Sequence, residues 1–157
     1  MTNLERMIQL AEEFFGTRND PEQISVNEEV MERLRAIHPN TLSEQQNKDG
    51  PIAWILLLPT TQGLMRQFIG KNITEKELLD KTPLGETYDA LYLCSALVLP
   101  EERGKGLAKR LASQAIKAIQ KEHPLKFLFV WEFSAEGEHL AEALAEESHL
   151  PLYRRVD

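Results

Sequence analysis

The stretch ALYLCSALVLPEERGKGLAKRLASQAIKAIQ, residues 90–120, predicts a strand, a glycine turn and a helix in direct succession. Its apolar first part, residues 90–99, has the length and composition of a buried strand. Pro100 ends the strand because proline has no N–H group for the ladder. Behind the turn, apolar side chains recur on one helix face: Leu107, Leu111, Ala115, Ile116 and Ile119. N–H groups at a helix start lack intrahelical acceptors and lie at the positive end of the helix dipole, so the turn predicts an anion site, typically for phosphate.

The turn itself is basic and rich in glycine, with the residues Arg103, Gly104, Lys105 and Gly106. Glycine lets the backbone approach a phosphate closely, and the cationic side chains add attraction for an anion. The dinucleotide fingerprint G-x-G-x-x-G does not fit, because Lys109 stands at the third glycine position. The chain also lacks the Walker A pattern. Taken alone, the turn is equally typical of a tight bend with solvated charges.

Length and composition favour one globular domain spanning residues 1–157. The formal net charge of -7 disfavours both general nucleic-acid binding and attachment to an anionic membrane surface, since like charges repel. No apolar run is long enough to span a bilayer, and the N-terminus does not resemble a signal peptide. The single cysteine, Cys94, is typical of a small core residue, and a catalytic thiol is the alternative. We therefore expect a cytoplasmic protein.

The remaining patterns predict strands separated by helices. Amphipathic periodicity and capping residues predict helices in these places: up to Gly16, over residues 28–37, behind Thr60 or Thr61, behind the capping box of Thr74 and Glu77, and behind Ser134. Apolar runs predict buried strands over residues 52–58 and 127–133. A short edge strand is predicted over residues 152–156. Residues 41–50 are polar without periodicity and predict a loop. This order favours an α+β, three-layer fold with helices on both faces of a sheet and a parallel crossover over residues 91–133.

The central stretch resembles motif A of the GNAT superfamily of N-acetyltransferases. That motif is an apolar strand ending near V-x-P, followed by Q/R-x-x-G-x-G/A at the head of a long helix. Here Val98-Leu99-Pro100 ends the strand, and Arg103-Gly104-Lys105-Gly106-Leu107-Ala108 opens the helix. The resemblance covers residues 90–134. It implies a GNAT-like central mixed sheet with a shortened N-terminal hairpin and shortened C-terminal strands.

The resemblance further implies acetyl-CoA as the acyl donor. Its pyrophosphate would lie on main-chain N–H groups of Arg103, Gly104, Lys105, Gly106, Leu107 and Ala108. Its pantetheine arm would pair with the strand backbone, where the strand separates from its neighbour, at Leu97, Val98 and Leu99. A backbone N–H there would polarise the thioester carbonyl, and the amine would attack directly without an enzyme nucleophile.

The chain departs from the family pattern in the segments that usually supply acid–base groups. The sequence pattern lacks the antiparallel hairpin expected before residues 90–99, and no tyrosine occurs between residues 135 and 150 to protonate the leaving thiolate. Tyr153 is therefore the candidate acid, with a tyrosine at the core edge as the alternative. Glu132 is the candidate base, with a solvent-facing charge as the alternative. The histidines show no metal-ligand spacing, so no metal is expected.

The sequence thus favours an enzyme that transfers an acetyl group from acetyl-CoA to an amine of a small molecule or protein. The alternative is a non-catalytic or degenerate GNAT-like protein that binds CoA as a regulatory or interaction module. A third interpretation is an unrelated α/β domain that binds another phosphate ligand, in which the strands over residues 91–99 and 127–133 would not separate. An exposed sheet edge near the C-terminus favours a homodimer.

Overall fold

The computed structural model describes residues 1–18, 28–131 and 134–156. Within these ranges the helices are α1 Asn3–Arg18, α2 Glu28–Ile37, α3 Gln62–Ile69, α4 Glu75–Lys81, α5 Leu107–Gln120 and α6 Ala135–Ser148. The strands are β1 Leu42–Asn47, β2 Gly50–Thr60, β3 Ala90–Val98, β4 Phe127–Trp131 and β5 Leu152–Arg155. A short 3-10 helix, Pro100–Glu102, follows β3. Among the helices of the described ranges, none is both long and apolar enough to span a lipid bilayer.

The strands form one mixed sheet in the order β1-β2-β3-β4-β5. The pairs β1–β2 and β2–β3 are antiparallel, whereas β3–β4 and β4–β5 are parallel. Because successive strand residues point to opposite faces, Leu91 packs with α1, α5 and α6, while Tyr92 packs with α2, α3 and α4. This architecture confirms the predicted α+β fold with helices on both faces, and it confirms the parallel connection from β3 through α5 to β4.

The loop predicted over residues 41–50 is wrong, because this segment forms an antiparallel hairpin with β2. Glu44 stands opposite Trp54, and the indole Nε1 donates to the Glu44 carboxylate at 2.6 Å. β1 lies at the sheet edge, and its last four residues are exposed. A polar edge strand shows no apolar alternation, so composition alone does not reveal it. The antiparallel hairpin that the sequence pattern did not reveal is therefore present ahead of β3.

β2 also continues beyond its predicted end at residue 58, to Thr60. Pro59 is tolerated there because β1 accompanies β2 only as far as Leu56, so the missing N–H group faces no strand. The Thr60 hydroxyl is buried and lies 2.8 Å from the hydroxyl of Thr82, which ties the end of β2 to the end of α4.

The predicted caps are confirmed at three helices. The side-chain oxygens accept backbone N–H groups three residues ahead, in the pairs Thr61 with Leu64, Thr74 with Glu77, and Ser134 with Gly137. The capping box of α4 is complete, since the Glu77 carboxylate also accepts the N–H of Thr74 at 3.1 Å. α1 reaches Arg18, two residues beyond the predicted stop at Gly16. Positions 132 and 133 of the predicted third strand lie outside the described residues.

Aromatic side chains form the centre of the core beneath α3. The fully buried Phe68 ring meets Tyr92, Phe129 and Trp131 edge to face, at centroid distances of 5.1, 6.0 and 5.9 Å. The Arg155 guanidinium lies over the same ring, 4.7 Å from its centroid. These partners come from β3, β4 and β5, so the cluster fastens α3 across the parallel half of the sheet.

We predict that Phe68→Ala lowers the free energy of unfolding by about 3–5 kcal/mol, because it removes a buried ring and leaves a cavity. Urea denaturation measures the change. Leu84→Ala is the control, since Leu84 is 51% exposed and its truncation should change stability by no more than about 0.5 kcal/mol. Similar losses for the two variants would contradict the central position of Phe68.

Candidate functional site

Backbone pairing between β3 and β4 stops partway along β3. Residues 90–93 pair with residues 127–130, and beyond them the described pairing of β3 is with β2 alone. Trp131, the next residue of β4, pairs with Arg155 of β5. The β2–β3 register also shifts by one residue at Cys94, and such a bulge bends a strand. The two strands therefore separate, as the GNAT resemblance predicted and as an unrelated α/β domain would not.

The separated strands border a cavity of about 790 Å³. β3, the loop behind it, α5, the end of β4 and the start of α6 form its walls, and α1 and β2 close one side. The predicted site residues in these walls are Leu97, Val98, Arg103, Gly104, Gly106, Leu107 and Ala108. Leu99 and Lys105 are not among the lining residues. Because β3 and β4 are adjacent and parallel, the helix starts that follow them meet at the same sheet edge.

Main-chain N–H groups of the loop before α5 lie beside this cavity. Gly104 and Gly106 have φ of 80° and 72°, a left-handed conformation that favours glycine. The first helical bond runs from the Arg110 N–H to the Gly106 carbonyl at 3.0 Å. In the part of the chain that the structure describes, no hydrogen-bond acceptor is found for the N–H groups from Gly104 to Lys109. Together with the α5 dipole, these groups can bind an anion.

The edge of β3 that faces away from β2 offers both N–H and C=O groups of the backbone. The Leu99 N–H donates to the Ile52 carbonyl of β2 at 3.0 Å. Since backbone groups alternate in direction along a strand, Val98 and Ala96 direct theirs away from β2, toward the gap. The Leu97 and Leu99 backbones face β2, and their side chains are buried in the core. Val98 is therefore the one of the three predicted pantetheine-binding residues whose backbone faces the gap, and sequence analysis missed Ala96.

Three cationic side chains around the loop lie close to carboxylates. Lys105 Nζ lies 2.9 Å from Glu102, and Lys109 Nζ lies 3.7 Å from Glu147. The Arg6 guanidinium of α1 contacts both oxygens of Glu101 at 2.6 Å and lowers the pKa of that carboxyl to about 2. This ion pair joins α1 to the 3-10 helix ahead of the loop.

Comparison with known families agrees with this geometry. The sequence profile of the acetyltransferase (GNAT) family matches residues 4–148, from α1 to the end of α6. The chain belongs to the GNAT acetyltransferase family. A comparison with curated proteins found no match. The GNAT match includes the strand, the glycine turn and the helix of the central stretch, together with the hairpin and α6.

The structure describes one of the two predicted acid–base residues of this GNAT protein, Tyr153. Glu132 lies outside the described residues and stays a prediction. Tyr153 is on β5, 44% exposed, with its ring centroid 5.8 Å from that of Phe127. It is not among the residues that line the cavity, and its assignment as the acid stays a prediction.

Sequence analysis missed the titratable side chains that α6 contributes to the cavity, which are Glu136, Glu138 and His139. Glu138 also accepts a hydrogen bond from Arg154 Nε. The order of elements in the sequence could have revealed these residues. α6 follows β4 just as α5 follows β3, and adjacent parallel strands bring both helix starts to one crevice.

A buried carboxylate stands behind the cavity wall. Glu75 of α4 is fully buried, accepts the Tyr92 hydroxyl, and lies 3.9 Å from the Cys94 sulfur. Cys94 is itself 5% exposed, which confirms the prediction of a core position, and it also contributes to the cavity wall. α4 is thus anchored to β3 where the strands begin to separate.

The candidate metal ligands of the described residues lie at the opposite end of α5. One ligand atom each from His38, Glu122 and His123 falls within 4.8 Å of the others. The Nδ1 atoms of His38 and His123 accept backbone N–H groups at 3.0 and 3.3 Å, so each neutral ring carries its proton on Nε2. Burial lowers the pKa of His123 and favours the neutral ring. His38 Nε2 lies 3.4 Å from a Glu122 oxygen, and this buried nitrogen has no hydrogen-bond partner among the described residues.

Proposed function

We propose that this GNAT protein is an N-acetyltransferase that transfers an acetyl group from acetyl-CoA to an amine of a small molecule or protein. The observation that carries the proposal is one cavity bordered by two sets of backbone groups, the N–H groups that begin α5 and the open edge of β3. Membership of an acetyltransferase family supports the reaction class.

The loop suits the charged end of the donor. The space that a side chain would fill at Gly104 and Gly106 is open, so phosphate oxygens can approach the backbone. N–H groups from Gly104 to Lys109 would then donate to the pyrophosphate, and the dipole of α5 favours the same negative charge. This binding depends on main-chain atoms, which explains why it requires glycine rather than a particular charged side chain.

The edge of β3 suits the pantetheine arm and the thioester. Val98 and Ala96 would hydrogen-bond an amide chain as a neighbouring strand does, and an N–H group there would stabilise negative charge on the thioester oxygen. As the amine nitrogen bonds to the carbonyl carbon, the carbon–sulfur bond breaks. The amine loses a proton, and the thiolate of CoA gains one. Glu136, Glu138 and His139 are the cavity groups that can exchange these protons, beside the predicted base Glu132.

A second candidate function is a coenzyme-binding module without transferase activity. The position of Tyr153 outside the cavity favours it, since α6 contains no tyrosine to take over the acid role. Both functions share the coenzyme site and differ only in turnover.

Two measurements separate these functions. Calorimetric titration should detect acetyl-CoA binding, and no interaction at millimolar ligand would refute both functions. A panel of small amines and lysine peptides, followed by release of the free CoA thiol, should then identify turnover. Binding without turnover of any amine would favour the binding module.

Gly106→Glu should weaken acetyl-CoA binding by about tenfold or more, equivalent to about 1.4 kcal/mol, because it places a carboxylate at the proposed pyrophosphate position. Gly85→Glu is a matched control. Gly85 also has φ of 72° with open space beside it, and it does not line the cavity, so strain and added charge are equal. Calorimetry of both variants measures the difference. An unchanged dissociation constant in Gly106→Glu would show that the loop is assigned wrongly.

We also propose that β5 forms part of a homodimer interface. β5 is an edge strand, and the neighbouring Tyr153 and Val156 side chains are 44% and 56% exposed. Unpaired edges invite pairing with a second chain. Light scattering should give twice the monomer mass, and a Tyr153→Lys variant should shift the mass toward the monomer. A monomeric wild-type protein would refute this proposal.

A further inference from the structure

The side chain of Arg103 folds back from the loop onto β3. Its Nε donates to the Val98 carbonyl oxygen at 3.0 Å, and both residues line the cavity. The direction of the Leu99 N–H, toward Ile52 of β2, shows that the Val98 carbonyl belongs to the edge facing the gap. The guanidinium therefore takes one of the two acceptor positions on the carbonyl oxygen and lies where a strand-like ligand in the gap would bond.

Arg103 also differs from the other loop cations in its partners. Lys105 and Lys109 each lie within 4 Å of a carboxylate, whereas no carboxylate partner of Arg103 is found in the described ranges. Arg103 immediately precedes the N–H groups from Gly104 to Lys109. A phosphate held by those groups would attract its guanidinium, because charge-assisted contacts to phosphate are stronger than a bond to a neutral carbonyl.

We propose that Arg103 is a positioning residue that couples the two ends of the coenzyme site. In this structure its guanidinium covers the Val98 carbonyl. A diphosphate on the loop draws the guanidinium away, and the uncovered carbonyl then accepts an amide N–H of the pantetheine arm. The proposal rests on the coenzyme site of the proposed function and adds an ordered link between its phosphate and acyl ends.

Such a link is reciprocal, because a ligand that favours one arrangement of Arg103 favours every other ligand that needs the same arrangement. Arg103→Met keeps most of the side-chain volume and removes the hydrogen bonds. It should weaken diphosphate binding, since a cation is lost. It should leave pantetheine binding as tight as in wild type, or tighter, since the Val98 carbonyl is uncovered. A residue that served only to hold the loop would weaken both.

The test is an NMR-detected titration, which measures millimolar dissociation constants, with pantetheine and ADP as separate probes. In wild type, saturating ADP should tighten pantetheine binding by about five- to tenfold, the lower range of measured couplings. In Arg103→Met, this factor should fall to about one. Arg110→Met is the charge-matched control. Arg110 is exposed on α5 and does not line the cavity, so its loss should keep the wild-type factor.

The outcomes separate this inference from the proposed function. Wild type that binds acetyl-CoA but shows no coupling between ADP and pantetheine overturns the role of Arg103 and leaves the coenzyme site intact. Coupling that persists in Arg103→Met, or weaker pantetheine binding in that variant, overturns it as well. A wild-type protein that binds neither acetyl-CoA nor the two probes refutes the coenzyme site, and the inference with it.

Discussion

Among the described residues, backbone pairing between β3 and β4 ends at Leu93 and Val130, and the cavity lies beside the strands where this pairing ends. A continued parallel ladder would have used the N–H and C=O groups of β3 and closed the space beside them. Instead the later part of β3 keeps an open edge, and α5 begins nearby with N–H groups that the described chain does not satisfy. Unpaired N–H and C=O groups along a strand edge can pair with an extended ligand, so such an edge is suited to a ligand that completes the hydrogen bonding.

The face opposite the cavity holds β3 in its position. Glu75 accepts the Tyr92 hydroxyl from beneath the start of the gap, and Arg155 donates to the Ile73 carbonyl at 3.2 Å while lying over Phe68. α3 and α4, the helices between β2 and β3, are thereby fastened to the parallel strands. The separation of β3 from β4 is thus supported on this face by a packed aromatic and polar layer.

The charge distribution explains how an acidic chain can hold an anion site. The net charge of -7 is spread over the molecule, whereas the loop combines main-chain N–H groups with cations. Glu101, Glu102 and Glu147 engage Arg6, Lys105 and Lys109, so much of the local cationic charge is already paired. The backbone N–H groups keep their attraction for an anion despite this pairing, because the helix and not a flexible side chain fixes their orientation.

The sequence by itself determined the features that depend on local chemistry. Helix caps at Thr61, Thr74 and Ser134, the apolar strand, and a glycine turn ahead of α5 all follow from residues within a few positions of one another. Tertiary structure alone decided which groups meet across the sheet: a polar β1 became a strand because β2 pairs with it, and Val98 faces the gap because Leu99 bonds to Ile52. It also left Tyr153 outside the cavity and brought His139 into it. These outcomes depend on partners far apart in the chain, and no local pattern encodes where two strands stop pairing.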